Sequence, residues 1–168
     1  MDEEIKDNIY HHDYITEINI SEKYQLTYND FSKLIDDFIL LITSNNNKYD
    51  SVHGFIRGGL PIAVHLSHYL NIPLIVDPTK IMITQNINDT LLVVDDIVDN
   101  GNTMNYFVSL ADFHRINYVT ASLYWKPHST FIPDFYLFET EKWIVFPWEK
   151  FDEECVVTEN YKEYLSDG

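Results

Sequence analysis

Cysteine is almost absent. Cys155 stands alone in 168 residues, which excludes an intramolecular disulfide and leaves a thiol that reads as packed, not nucleophilic. Basic side chains are scarce too. Eleven Lys and Arg face 27 Asp and Glu, giving a net charge of -16 and an isoelectric point near 4.5. That balance argues against a nucleic-acid surface, which holds phosphates with clustered cations. No apolar run approaches the ~20 residues of a membrane-spanning helix, and the opening MDEEIKDN lacks a signal peptide's basic start. The expected location is therefore the cytoplasm. No linker or internal repeat divides the chain. With 45% hydrophobic and 15% aromatic residues, it has the composition of one globular domain long enough to bury a core.

The most informative stretch is TLLVVDDIVDNGNTMNY, from Thr90 to Tyr106. Leu91 to Val94 form a continuous apolar run, the pattern of a parallel strand buried on both faces, and it ends at Asp95 and Asp96. Carboxylates at a strand's end point into the crevice where open α/β sheets bind ligands. A third acid, Asp99, is followed by Asn100, Gly101, Asn102 and Thr103, and then by a helix-periodic segment. A glycine turn opening a helix directs amide N–H groups at one point, beside the helix's positive end, and so can hold a phosphate. An isolated Asp-Asp pair could as well terminate a strand, but here the apolar run, three acids, turn and Thr come in one order.

The rest of the chain reads as alternating strands and helices. Met1 to Ile20 is acidic and aperiodic, either an extra strand or a loosely packed extension, and His11-His12 reads as surface. Thr27 with Asp30 forms a capping-box pattern with the shorter acid, ahead of Phe31, Leu34, Ile35, Phe38, Ile39 and Ile42 at helical spacing. Asn45-Asn46-Asn47 ends that helix. Val52 to Ile56 predicts a strand running into Arg57-Gly58-Gly59, where the glycines permit unusual torsions or close approach and Arg57 supplies charge. Pro61 suits the first turn of the next helix, through Ala63, Val64, Leu66 and Leu70, with His65 and His68 on its surface. Ile72 to Val76 predicts another buried strand, followed by a short link over Thr79 to Asp89. Met104, Phe107, Val108 and Ala111 predict a helix face ending near His114-Arg115, and Tyr118 to Tyr124 a strand that delivers Trp125-Lys126-Pro127. Phe135 to Phe138 and Trp143-Ile144-Val145-Phe146-Pro147-Trp148-Glu149 follow, with an acidic tail over 150–168.

The order of these motifs resembles that of type I phosphoribosyltransferases. The Asp95 to Thr103 stretch is similar to their signature for phosphoribosyl pyrophosphate (PRPP), with Asn100 where the family usually has Thr. SEKYQLTYNDF and WIVFPWE are similar to elements of the bacterial xanthine-guanine branch, so the likeness spans about Ser21 to Glu149. The resemblance implies a single domain of α/β class, a parallel sheet flanked by helices, with a small hood built from the terminal segments. It implies transfer of the 5-phosphoribosyl group from PRPP to a 6-oxopurine, with Mg²⁺ as cofactor and a homo-oligomer, dimer or tetramer, as the assembly. On that pattern Arg57, Gly58 and Gly59 bind pyrophosphate. Asp95 and Asp96 hold the ribose hydroxyls, with Asp96 reaching the metal. Asn100, Gly101, Asn102 and Thr103 hold the 5′-phosphate, and Asp99 takes the purine N7 proton. Lys126 donates to the 6-oxo group, Trp143 stacks on the base, and the backbone at Ile144 reads its edge. Family enzymes carry a long mobile loop where this chain has only Thr79 to Asp89. A reduced hood, a substitute from the N-terminal extension, or a non-catalytic PRPP- or nucleotide-binding regulatory protein are the alternatives that this shortness leaves. A phosphohydrolase using the acids with a metal fits less well, because the glycine turn is built to hold a phosphate.

Overall fold

The computed structural model describes residues 23–84, 86 and 88–149. The expected N-terminal extension, His11-His12, Cys155 and the acidic tail lie outside the described residues. The chain divides into two compact units, Ser32–Thr140 and a second that gathers the described residues on either side of it, 23–31 and 141–149.

In the terminal unit, strand β1 (Lys23–Gln25) pairs in parallel with β6 (Trp143–Val145), placing Lys23 beside Trp143 and Gln25 beside Val145. Helix α1 (Tyr28–Thr43) begins here, and its start is legible in the sequence. The Asp30 carboxylate accepts from the Thr27 amide at 2.9 Å and hydroxyl at 2.7 Å, while the Asp30 amide donates to the Thr27 oxygen at 3.1 Å. That is a capping box with the shorter acid, satisfying amides that a helix start otherwise leaves open. Phe31 and Phe146 both pack on the Trp148 ring, at centroid distances of 5.0 Å.

The larger unit is a parallel four-stranded sheet in the order β2 (Ser51–Gly54), β3 (Thr90–Val98), β4 (Asn117–Trp125), β5 (Phe135–Glu139). Helices α2 (Gly59–Leu70), α3 (Pro78–Thr84) and α4 (Asn102–Phe113) connect the strands. Leu91 to Val94 are all fully buried. Each such side chain stabilises the fold by about 1.5–3 kcal/mol over leaving it in water. Leu91 and Val93 pack with Ile81 of α3 and with Met104, Phe107 and Ala111 of α4. Leu92 and Val94 face the opposite side, as the two-residue period of a strand requires. Helices on both faces are what a strand apolar throughout demands.

Two expectations are corrected. Ile72 to Val76 is not a strand: it makes one bridge, Leu74 to Val52, with Val52 donating to Pro73 and Ile75 donating to Val52. Pro73 has no N–H for a ladder, and Val76 is exposed. The link after it begins as a helix, α3. The Asp77 carboxylate accepts from the Thr79 hydroxyl and amide, which holds its pKa below the usual carboxylate value, and Ile81 is fully buried. The strand β3 also runs through Asp95 and Asp96 to Val98 instead of stopping at them. Among the described residues no helix is long and apolar enough to cross a membrane.

Candidate active site

The C-terminal ends of β2, β3 and β4 set the site. Backbone register comes first: Val98 of β3 lies beside Trp125 of β4. Adjacent strands run about 4.8 Å apart, so the next residues, Asp99 and Lys126, leave the sheet side by side. The Lys126 ammonium meets Asp99 Oδ1 at 3.2 Å, and its amide donates to the Val98 carbonyl at 3.0 Å. The Lys126 side chain is 10% exposed and that of Asp99 49%. The ammonium is therefore held at a largely buried strand end while the carboxylate reaches outward. His128 brings Nε2 to the same Oδ1 at 3.1 Å.

The turn after Asp99 is held from both sides. Asn100 Oδ1 accepts the Asn102 amide at 2.9 Å, and the Asn100 carbonyl accepts the Thr130 hydroxyl at 2.9 Å and the Thr130 amide at 3.2 Å. Gly101 has φ +84°, the left-handed region, and a Cβ there would stand 2.7 Å from the Phe131 nitrogen. Both the torsion and the space require glycine. The amides of Thr103 and Met104 lie in the first turn of α4, where no intrahelical acceptor reaches them. The Asn102 amide, by contrast, is already engaged by the Asn100 side chain.

Asp95, Asp99, Asn100, Gly101 and Thr103 line one cavity of about 170 Å³ together with Ile97, Val98 and Met104. Burial, and then the neighbouring Asp96 carboxylate, raise the Asp95 pKa well above the ordinary 3.8. Asp96 faces the Arg57-Gly58-Gly59 turn so closely that a Cβ on Gly58 would overlap its carboxylate. Gly58 itself has φ -64° and ψ -44°, so its need is clearance from Asp96, not an unusual torsion. Gly59 is pressed in the same way against the Val94 carbonyl. The Ile56–Arg57 peptide is cis, and the Arg57 side chain is exposed. Among the described residues no group of three or more His, Cys, Asp and Glu could hold a metal by itself. Mg²⁺ characteristically takes one or two carboxylates and completes its shell with water and substrate phosphates, and the adjoining Asp95 and Asp96 fit that arrangement.

The structure thus brings Asp95, Asp99, Asn100, Gly101 and Thr103 to one cavity, sets Lys126 on Asp99 and Asn102 on Asn100, and packs Gly58 and Gly59 against Asp96 and the Val94 carbonyl, with Arg57 exposed beside them. Trp143, 59% exposed, and the buried Ile144 lie on β6 in the terminal unit. Sequence reasoning missed His128, Thr130 and Asn105, whose side-chain amide donates to the Thr130 hydroxyl at 2.9 Å. For His128 a signal existed, its place two residues beyond Lys126; for the others none did.

No family model and no curated protein matches the sequence. Solved structures do. A purine phosphoribosyltransferase from Pyrococcus horikoshii OT3 is 30% identical over 82% of this chain and 99% of its own, with a TM-score of 0.67. The Helicobacter pylori xanthine-guanine-hypoxanthine phosphoribosyltransferase is 22% identical over 76% of this chain and 94% of its own, with a TM-score of 0.66. A hypothetical protein from Neisseria gonorrhoeae with bound ppGpp is 20% identical over 80% and 93%, with a TM-score of 0.67. The chain belongs to the type I phosphoribosyltransferases.

Proposed function

We propose that the protein transfers the 5-phosphoribosyl group of PRPP to a 6-oxopurine, guanine, xanthine or hypoxanthine, giving the nucleoside monophosphate and pyrophosphate. The observation that carries this reading is the cavity shared by Asp95, Asp99 and Thr103. Acids for a sugar and a phosphate-holding turn face one space. Support also comes from the 30% identity to the Pyrococcus horikoshii purine enzyme.

In this reaction the bond from ribose C1 to the pyrophosphate oxygen breaks, a bond to the purine nitrogen forms, and the ring loses a proton. The Thr103 and Met104 amides hold the 5′-phosphate at the start of α4. Asp95 and Asp96 accept hydrogen bonds from the ribose hydroxyls, and their charge balances the positive charge that develops on the sugar. Arg57 attracts the departing pyrophosphate. Asp99 takes the N7 proton, and Lys126 donates to the 6-oxo oxygen beside it. Trp143 offers an exposed ring on which a flat base can stack, with the Ile144 backbone next to it. Mg²⁺, held by Asp96 and by oxygens of PRPP, would neutralise the leaving pyrophosphate. The expected setting is the cytoplasm and the expected assembly a dimer or tetramer.

The test is direct. The protein, PRPP and Mg²⁺ are incubated with each of the three bases, and nucleotide is measured. Asp99→Asn should lower kcat by about 10²–10⁴ and leave PRPP affinity unchanged, as removal of a general base does. Unchanged turnover would remove Asp99 from the proton step. A second reading, a non-catalytic PRPP- or nucleotide-binding regulator, draws on the Neisseria gonorrhoeae protein with bound ppGpp and on the short helical α3 that stands where family enzymes carry a long loop. PRPP binding with no product from any base would favour it.

A further inference from the structure

The Asp99 carboxylate is held asymmetrically. Lys126 Nζ and His128 Nε2 both meet Oδ1, at 3.2 and 3.1 Å, and among the described residues nothing donates to Oδ2. An ionised carboxylate only accepts hydrogen bonds, so His128 Nε2 carries the proton in this contact. Two donors on one oxygen fix the plane of the group and leave the other oxygen's lone pairs for an incoming N–H. We propose that His128 is a positioning residue for Asp99, anchoring Oδ1 so that Oδ2 stays aimed at the purine proton. This inference rests on the reading of Asp99 as the base in phosphoribosyl transfer.

Lys126 cannot do this work alone once a purine is bound. Its ammonium then turns a donor toward the 6-oxo oxygen, and its hold on Oδ1 is shared between two acceptors. Asp99, 49% exposed at a strand's end, would be free to swing toward water. The proposed function gives His128 no contact with the purine carbonyl, so its contact with Oδ1 is the second hold on the carboxylate. Its backbone is also fixed on both sides: Lys126 is tied to Val98, Ser129 donates to the Lys126 carbonyl at 2.9 Å, and Thr130 is clasped to Asn100. The imidazole is 52% exposed, so replacing it removes little packing.

His128→Ala and His128→Gln are compared with the wild-type chain in steady-state assays with PRPP, Mg²⁺ and whichever 6-oxopurine the wild type uses. His128→Ala should lower kcat about ten- to a hundredfold, the cost of a misaimed reacting group, with KM for PRPP unchanged. His128→Gln, which keeps an N–H donor, should recover most of that loss. Equal kcat for the alanine variant and the wild type overturns the proposal while leaving the transferase reading intact. A rise in KM for PRPP that matches the fall in kcat also overturns it, because the residue would then be supporting the phosphate turn. A wild-type chain that forms no nucleotide from any base overturns the transferase reading itself and this inference with it.

Discussion

At Asp95 two causes act in one direction: burial penalises its charge, and the adjacent Asp96 repels it. The folded chain therefore holds this proton more tightly than the unfolded chain does. Stability falls as pH rises from the ordinary carboxylate value of 3.8 through the raised folded value, and the deficit persists above it. A tenfold tighter hold on the proton corresponds to about 1.4 kcal/mol. Asp95→Asn keeps the shape and the acceptor for the Asp96 amide while removing the charge. It should melt above the wild type at pH 7, with the difference closing as the pH approaches 3.8. Thermal melts across that range check the sign, and a variant that melts lower at pH 7 would contradict it. The same substitution should weaken PRPP binding, since Asn offers the ribose hydroxyls a neutral acceptor in place of an anion. A site that is costly to the empty chain and relieved by its ligand is common where function sets the residues.

At the scale of elements, what is legible is local. The Thr27–Asp30 cap and the β3 core can be read because each motif lies within a few consecutive residues. Ile72 to Val76 is misread because apolar content hides the missing donor of Pro73. The Asp99, Lys126 and His128 constellation is legible only in part. The resemblance assigns the first two, but their contact depends on Val98 standing beside Trp125, a register that no short stretch encodes. The turn at Gly101 joins both levels, since its positive φ is local while its clearance is set by Phe131 and Ser129 of the next loop. Gly101→Ala should destabilise the chain by about 1–3 kcal/mol through the left-handed torsion alone. Calorimetric titration with PRPP should show weaker binding as well, because the amides proposed to hold the phosphate sit on the same turn. A variant with unaltered melting temperature and affinity would show that the turn can shift without consequence.

At the scale of the whole molecule, charge sets an odd condition. The chain carries a net -16, yet the proposed donor of its phosphoribosyl group is itself a polyanion. Long-range repulsion should slow the encounter, and salt should relieve it. Raising ionic strength from about 0.01 M to about 0.15 M shortens the screening length from about 30 Å to about 8 Å. At fixed free Mg²⁺, the PRPP association rate should therefore rise over that range, the reverse of what a basic pocket would give. Stopped-flow binding measures this, and a rate that falls with salt would mean that local cations near Arg57 outweigh the overall field.

The clasp of Thr130 on Asn100 also bears on how such a chain can diverge. Because Asn105 also donates to the Thr130 hydroxyl, the segment proposed to read the base and the one proposed to hold the phosphate are joined by side chains as well as by backbone. Chimeras that swap residues 126–131 together with 100–105 should keep the Asn105–Thr130 pair, whereas a graft of either segment that lacks Asn105 or Thr130 loses that contact and should bind PRPP more weakly.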